Sequence, residues 1–149
     1  MYTHILVPTD GSPLSDYAVD QALVLAEALD ARVTLLTVVE PFRPIAYVPE
    51  QVVESRESYD ESTMLAAEKR LQDASAKAEA FGIAHATQVA VSGDPHEAIM
   101  FMAATLGCDL IAMASHGRRG VKALVLGSVT AKVLTQSQVP VLVYRQAAE

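Results

Sequence analysis

The chain has few features that could crosslink it or hold it in a membrane. Cys108 is the one cysteine among 149 residues, which excludes an internal disulfide and a thiolate metal cluster. No apolar run reaches the roughly 18 residues that a membrane span requires. Residues 1–4 lack the basic stretch and the cleavage site of a signal peptide. The sequence therefore predicts a cytoplasmic protein without a membrane partner.

Basic residues are also scarce, with 11 lysines and arginines against 18 acidic residues and a net charge of −7. This charge disfavours a general nucleic-acid-binding protein, because the phosphate backbone would repel it. The imbalance is uneven: residues 1–109 carry a net −11, whereas residues 110–149 carry five bases, one acid and a net +4. A small basic region on an acidic protein suggests a local anion site, although chance placement of solvated charges explains it equally well.

Apolar residues, by contrast, are abundant: 51 % of the chain is hydrophobic and 19 % is charged, as in ordinary globular proteins. We expect one domain over residues 1–149, large enough to bury its own core. Five short segments read as strands, and the central ones are apolar at consecutive positions, as in a parallel sheet covered on both faces. The five predicted strands are Ile5–Pro8, Arg32–Val39, His85–Val91, Asp109–Ala114 and Val139–Tyr144.

Segments with helical periodicity alternate with these strands. Ser12 and Asp94 stand where the first and third helices would be capped, each followed by a proline. Gly82 and Gly107 follow the second and third helices, as left-handed C-cap residues do. A last helix is predicted over residues 128–137. The alternation predicts right-handed crossovers and a three-layer α/β sandwich.

The segment after the fourth predicted strand carries the clearest signal for a ligand. Open parallel sheets bind ligands beyond the carboxyl ends of their strands, and residues 115–128 lead from such an end into a helix. Glycines and a helix N-terminus expose backbone amides to an anion, so we favour phosphate over a loop with solvated bases. The segment is neither a P-loop nor a dinucleotide-binding turn. Its glycines and bases are Gly117, Arg118, Arg119, Gly120, Lys122 and Gly127.

This segment resembles the nucleotide loop of the ATP-binding universal stress proteins, Gly-x2-Gly-x9-Gly-Ser/Thr. Gly117, nine intervening residues and the pair Gly127–Ser128 match the pattern, whereas Ala114 stands at the first glycine. Residues 5–10, 35–39, 93–99 and 139–143 also resemble the family. The resemblance implies a Rossmann-like fold related to the adenine nucleotide alpha hydrolases. Its five-stranded parallel sheet would have the strand order 3-2-1-4-5.

The resemblance also implies a site for ATP, with Mg²⁺, between the loops after the first and fourth strands. Asp10 would lie near the ribose or the waters around the metal; aspartate is also common in turns, but its position between a strand and a helix favours the ligand role. Val38 would contact the adenine, and the residues around Gly117 and Gly127 would surround the phosphates. The implied binding residues are Pro8, Thr9, Asp10, Val38, Met113, Ala114, His116, Gly117, Arg118, Gly127, Ser128 and Val129.

The conformation of Ala114 decides how well it replaces the motif glycine. Its methyl group costs little if the residue keeps a negative φ. A left-handed backbone at this position would cost about 1 kcal/mol or more.

The sequence leaves three functions open. The resemblance implies a nucleotide-dependent regulator of the stress response, with an unknown protein partner and at most slow ATP hydrolysis. It also implies a homodimer through the apolar edge strand Val139–Tyr144, which needs cover. The second possibility is a dimeric interaction module of the same fold without a nucleotide. The third is a nucleotide alpha hydrolase such as an adenylyl transferase, but residues 9–12 do not match the loops of those enzymes.

Overall fold

Five strands form one parallel sheet in the computed structural model, which describes residues 1–42, 56–117 and 126–146. The strands are β1 (His4–Pro8), β2 (Arg32–Val39), β3 (His85–Val91), β4 (Leu110–Ala114) and β5 (Val141–Tyr144). Their order across the sheet is β3-β2-β1-β4-β5, and every neighbouring pair is parallel. The predicted strand order is therefore confirmed, and the order reverses between β1 and β4.

Among the described residues, four helices cover the two faces of this sheet. They are α1 (Pro13–Leu29), α2 (Arg56–Ala80), α3 (Pro95–Thr105) and α4 (Ser128–Gln136). The buried residues of α1 and α2 form one core with the sheet, and those of α3 and α4 form another on the opposite face. The result is the three-layer sandwich that the sequence predicts. Among the described helices, none combines the length and apolarity needed to cross a bilayer.

The two cores explain why the central strands are apolar at consecutive positions. Successive side chains of a strand point to opposite faces. Ile5 and Leu35 therefore lie in the core under α1 and α2, whereas their neighbours Leu6 and Leu36 lie in the core under α3 and α4. All four side chains are fully buried.

The helix ends confirm most of the predicted signals and correct one. Ser12 accepts a hydrogen bond from Ser15 N at 3.3 Å, and Pro13 follows as the first residue of α1. Gly82 and Gly107 have φ angles of +69° and +70°, as predicted for C-caps. The side chain of Asp94 makes no capping hydrogen bond, so that prediction was wrong.

The last strand is shorter than predicted, because it begins at Val141 and not at Val139. Ser137 Oγ accepts a hydrogen bond from Val139 N at 3.0 Å and donates one to Val139 O at 2.8 Å, which turns the chain there. Pro140 has no N–H to donate to the sheet, although its carbonyl accepts a hydrogen bond from Ile111 N at 2.9 Å. The edge strand is therefore Val141–Tyr144.

The amino end of the sheet contains a buried histidine. His4 is only 6 % exposed, and its Nε2 lies 2.7 Å from Thr34 Oγ1, while Nδ1 has no hydrogen-bond partner among the described residues. Burial and the positive charge of Arg32 lower the pKa of His4 and outweigh the opposite effects of Asp109 and of the Leu106 backbone. The folded protein therefore favours the neutral imidazole.

We predict that His4 makes the protein less stable in mild acid. In the unfolded chain His4 takes up a proton near pH 6.5, whereas in the folded protein it does so only at lower pH. The free energy of unfolding therefore decreases as the pH falls below about 6.5. His4→Gln removes this titration and keeps a polar group near Thr34. Urea unfolding at a series of pH values should show a shallower loss of stability for the variant. If the free energy of unfolding changes equally with pH in the variant and the wild type, the prediction is contradicted.

Candidate functional site

The loop after β1 is held in place by buried hydrogen bonds to Thr9. Thr9 N donates to Leu36 O at 2.8 Å, and Thr9 O accepts from Thr37 Oγ1 at 3.0 Å. The hydroxyl of Ser15 in α1 adds two more hydrogen bonds: Ser15 Oγ donates to Thr9 Oγ1 at 2.6 Å and accepts from Asp10 N at 3.1 Å. Because β2 and α1 both bond to this loop, the position of Asp10 at the carboxyl edge of the sheet is fixed.

The carboxylate of Asp10 faces the segment that follows β4. Its Oδ1 accepts a hydrogen bond from Ser12 N at 2.9 Å, which orients the side chain. A Cβ atom added at Gly117 would overlap Asp10 Oδ2. A side chain at position 117 would therefore require the Asp10 carboxylate to move from this position.

A second glycine brings the N-terminus of α4 against the same segment. Gly127 N donates to Ser115 O at 2.8 Å, and a Cβ atom at Gly127 would stand 3.1 Å from both Cα and Cβ of His116. Thr130 Oγ1 donates to Ala114 O at 2.8 Å and adds a second tie between α4 and β4. The structure thus brings Asp10, His116, Gly117 and Gly127, all predicted site residues, into one cluster.

The N-terminus of α4 lies beside this cluster, because Gly127, the residue before the helix, contacts His116. The helix begins at Ser128, which is exposed, and Ala131 N donates to Gly127 O at 2.9 Å. No described side chain caps the helix. Since the Gly127 amide is already bonded to Ser115 O, the amides without an acceptor inside the helix are those of Ser128, Val129 and Thr130. The positive end of the helix dipole favours an anion at this point.

Ala114, which replaces the first motif glycine, has an ordinary strand conformation. Asp30 is the one non-glycine residue with a positive φ among those described, and Ala114 pairs with Tyr144 in the sheet. The methyl group of Ala114 is buried against Leu14 and Ala18, on the α1 face. The alanine is therefore accommodated without backbone strain.

The other predicted residues take different places. Pro8 ends β1, and the side chains of Val38 and Met113 pack in the core under α3 and α4, where Val129 also packs. Arg118 lies outside the described residues. A direct role for Val38 or Met113 at the site would therefore depend mainly on their backbone groups.

Arg70 of α2 is a neighbour of the site that sequence reasoning did not identify. Its Cγ, Cδ and Nε atoms lie 3.0–3.1 Å from the position that a Cβ atom of Gly11 would occupy. Gly11 has a φ of +79°, so both its conformation and this contact favour glycine. Arg70 lies among polar residues of a predicted helix, a position typical of a solvated base, and nothing in the sequence indicates the contact.

Comparison with known proteins agrees with this geometry. Residues 1–145 match the profile of the Universal stress protein family. The chain belongs to this family. The Universal stress protein YxiE of Bacillus subtilis is 33 % identical over 152 residues, which cover 97 % of this chain and all of that protein.

Solved structures of family members have the same fold. MJ0577 of Methanocaldococcus jannaschii superposes with a TM-score of 0.82 at 29 % identity, covering 100 % of this chain and 99 % of that one. A universal stress protein solved in complex with cAMP has a TM-score of 0.72 at 27 % identity, covering 98 % and 99 % of the two chains. The second of these relatives binds an adenine nucleotide.

We predict that Ala114→Gly lowers the free energy of unfolding by about 1 kcal/mol, because it removes a packed methyl group and loosens the strand backbone. Ala86→Gly in β3 is the matched control, since Ala86 lies in a strand but is exposed. Ala86→Gly should lower the free energy of unfolding by less than Ala114→Gly does. Urea denaturation measures both variants, and equal losses would mean that the Ala114 methyl group adds nothing to stability.

Proposed function

We propose that this universal stress protein binds ATP, with Mg²⁺, at the carboxyl edge of β1 and β4 and acts as a nucleotide-dependent regulator in the stress response. The observation that carries the proposal is the close approach of Asp10 and Gly117, where a Cβ atom has no room. It joins the loops of the two strands between which the strand order reverses, the usual ligand position in such sheets.

The groups at this edge fit the parts of a magnesium nucleotide. The amides of Ser128 and Val129 and the Ser128 hydroxyl are suitable donors for phosphate oxygens at a helix N-terminus. The carboxylate of Asp10 is a ligand type that Mg²⁺ or its bound waters prefer. Arg118 would add positive charge from the same loop.

The related protein that was solved with cAMP supports an adenine nucleotide as the ligand class. We favour ATP over a monophosphate because the glycine loop combines backbone amides with several bases, which suits a polyphosphate. The strain-free conformation of Ala114 removes the main reason to propose a module without a nucleotide. Slow hydrolysis, the cytoplasmic location and the extent of the domain over residues 1–149 stay predictions.

The test of this proposal is a carboxylate placed where the phosphates would bind. Ser128→Glu should abolish saturable binding of ATP with Mg²⁺, because its charge repels phosphate at the start of α4. The same charge is favourable for the helix dipole, so the variant should fold at least as stably as the wild type. Ser128→Gln has the same size without the charge and should lose far less affinity.

Isothermal titration with ATP, AMP and cAMP, each with and without Mg²⁺, measures this difference and ranks the ligands. No saturable binding of ATP by the wild type below about 1 mM would contradict the proposal. Equal affinity of the Glu and Gln variants would show that the phosphates bind elsewhere.

We also propose a homodimer in which β5 pairs with β5 of a second copy. The carbonyls of Pro140 and Tyr144 bond to β4, so by alternation the backbone groups of Val141 and Val143 point away from the sheet. A two-fold axis would pair these groups antiparallel and cover the edge.

We predict that Val143→Pro converts the dimer to a monomer. Proline removes an outward N–H without breaking a bond to β4, so the single chain should still fold. Sedimentation velocity at micromolar concentration, with circular dichroism as a check on folding, compares the variant with the wild type. A monomeric wild type, or a folded variant that remains dimeric, would refute the β5 interface.

A further inference from the structure

The edge of the sheet opposite β5 is a second unpaired strand with a groove beside it. Val33 N donates to Ala84 O at 3.0 Å and Ser92 N donates to Val39 O at 2.9 Å, and the register between them is continuous. Even-numbered residues of β3 therefore bond to β2. The N–H and C=O groups of Thr87 and Val89 point outward, and no described strand pairs with them.

This edge lacks the protection that soluble proteins usually give to edge strands. Prolines, lysines or bulges normally prevent the pairing of an edge strand with another chain. All seven residues of β3 are described, and they include no proline, lysine, arginine or acidic residue. Val91 at the end of the strand is 61 % exposed. Within the part of the chain that the structure describes, the edge is thus open to an added strand.

Beside the edge lies a groove of about 440 Å³ between β3 and the flank of α2. Glu68 and Glu79 line it from α2, and no lysine, arginine or histidine is among the described residues that line it. Leu71 and Val89 add a small apolar floor. The groove therefore offers negative charge around an apolar centre, next to free backbone groups.

One end of the groove is held rigidly. His85 Nδ1 lies 2.9 Å from the carbonyl of Ile83, which can only accept, so the neutral ring carries its proton there. Its Nε2 then accepts from Ser75 Oγ at 2.6 Å, which ties α2 to the start of β3. An ion pair between Lys77 Nζ and Asp20 Oδ1 at 2.9 Å ties α2 to α1. The groove is therefore formed before any partner binds.

We propose that β3 and α2 form a docking site for an extended basic segment of a partner protein, which adds to the sheet as a sixth strand. Main-chain hydrogen bonds to Thr87 and Val89 would supply affinity, and the two glutamates would select the sequence. A second copy of this chain is disfavoured as the occupant, because it would bring its own Glu68 and Glu79 toward the same groove. This site is separate from the proposed nucleotide site.

The spacing of the glutamates specifies the segment further. They are eleven residues apart on α2, which is about 16 Å along a helix. Residues i and i+4 of an extended strand lie on the same face and are about 13 Å apart. Flexible side chains can span the difference between this distance and the spacing of the two glutamates. The site therefore fits two basic residues spaced i and i+4, with an apolar residue between them over Leu71 and Val89.

The probe is an eight-residue peptide with lysine at its second and sixth positions, valine at its fourth and eighth, and threonine elsewhere. We expect saturable binding to the full-length protein that weakens with salt. Hydrogen exchange followed by NMR should show new protection at the amides of Thr87 and Val89. The amides of Ala86 and Gln88, already bonded to β2, should change little. No saturable binding below about 1 mM, or no protection at Thr87 and Val89, would overturn the proposal.

Charge reversal tests the two glutamates. The double variant Glu68→Lys with Glu79→Lys should lose about tenfold or more in affinity for the lysine peptide and gain binding of the same peptide with glutamate at both positions. Glu57→Lys with Glu61→Lys changes the net charge equally on an exposed part of α2 outside the groove. It should keep most of the affinity, and an equal loss would show non-specific attraction.

Backbone methylation tests the added strand. One peptide carries N-methyl groups at its even positions and another at its odd positions, and only one of these two sets can face β3. Strand addition predicts that one methylated peptide loses binding while the other retains it. If both bind like the unmodified peptide, the segment does not pair with β3 and the proposal fails.

Discussion

The hydrogen bonds between Thr9 and β2 hold the loop that carries Asp10, and the rest of the candidate site is arranged around that fixed carboxylate. Gly117 lies against it because it has no side chain, and Gly127 then brings α4 against His116. A side chain at Gly117 would require the Asp10 carboxylate to move, and one at Gly127 would require His116 to shift by a few tenths of an ångström. The site therefore depends on the close approach of two glycines, Gly117 to the Asp10 carboxylate and Gly127 to the backbone and Cβ of His116.

The sheet presents two edges with different chemistry. β5 is short and half-buried, and its unpaired backbone groups lie at Val141 and Val143. β3 is longer and lies beside a groove with two glutamates. The helix α2 contacts both proposed sites, since its Arg70 packs on Gly11 near Asp10 while Glu68, two residues earlier, lines the groove. A shift of α2 would thus change the surroundings of Gly11 and the shape of the groove together.

Much of the fold could be predicted because it depends on local pattern. Consecutive apolar residues in β1 and β2 indicated a sheet covered on both faces, and Gly82 and Gly107 marked helix ends through their left-handed backbone. The predictions failed where another hydrogen bond replaced the one that the local pattern predicts. The carbonyl of Asp94, and not its side chain, accepts the first bonds of α3, and a turn at Ser137 delays the start of β5.

The sequence by itself determined the alternation of strands and helices and the parallel sheet, and it marked the loop proposed to bind phosphate, because these follow from periodicity and from glycines at fixed spacing. Only the tertiary structure decided which face the Ala114 methyl group enters, that Arg70 packs on Gly11, and that Asp10 meets Gly117. These contacts join residues from about 60 to more than 100 positions apart. No local pattern encodes them, since they arise only when the strand order places β1 beside β4 and α2 beside α1.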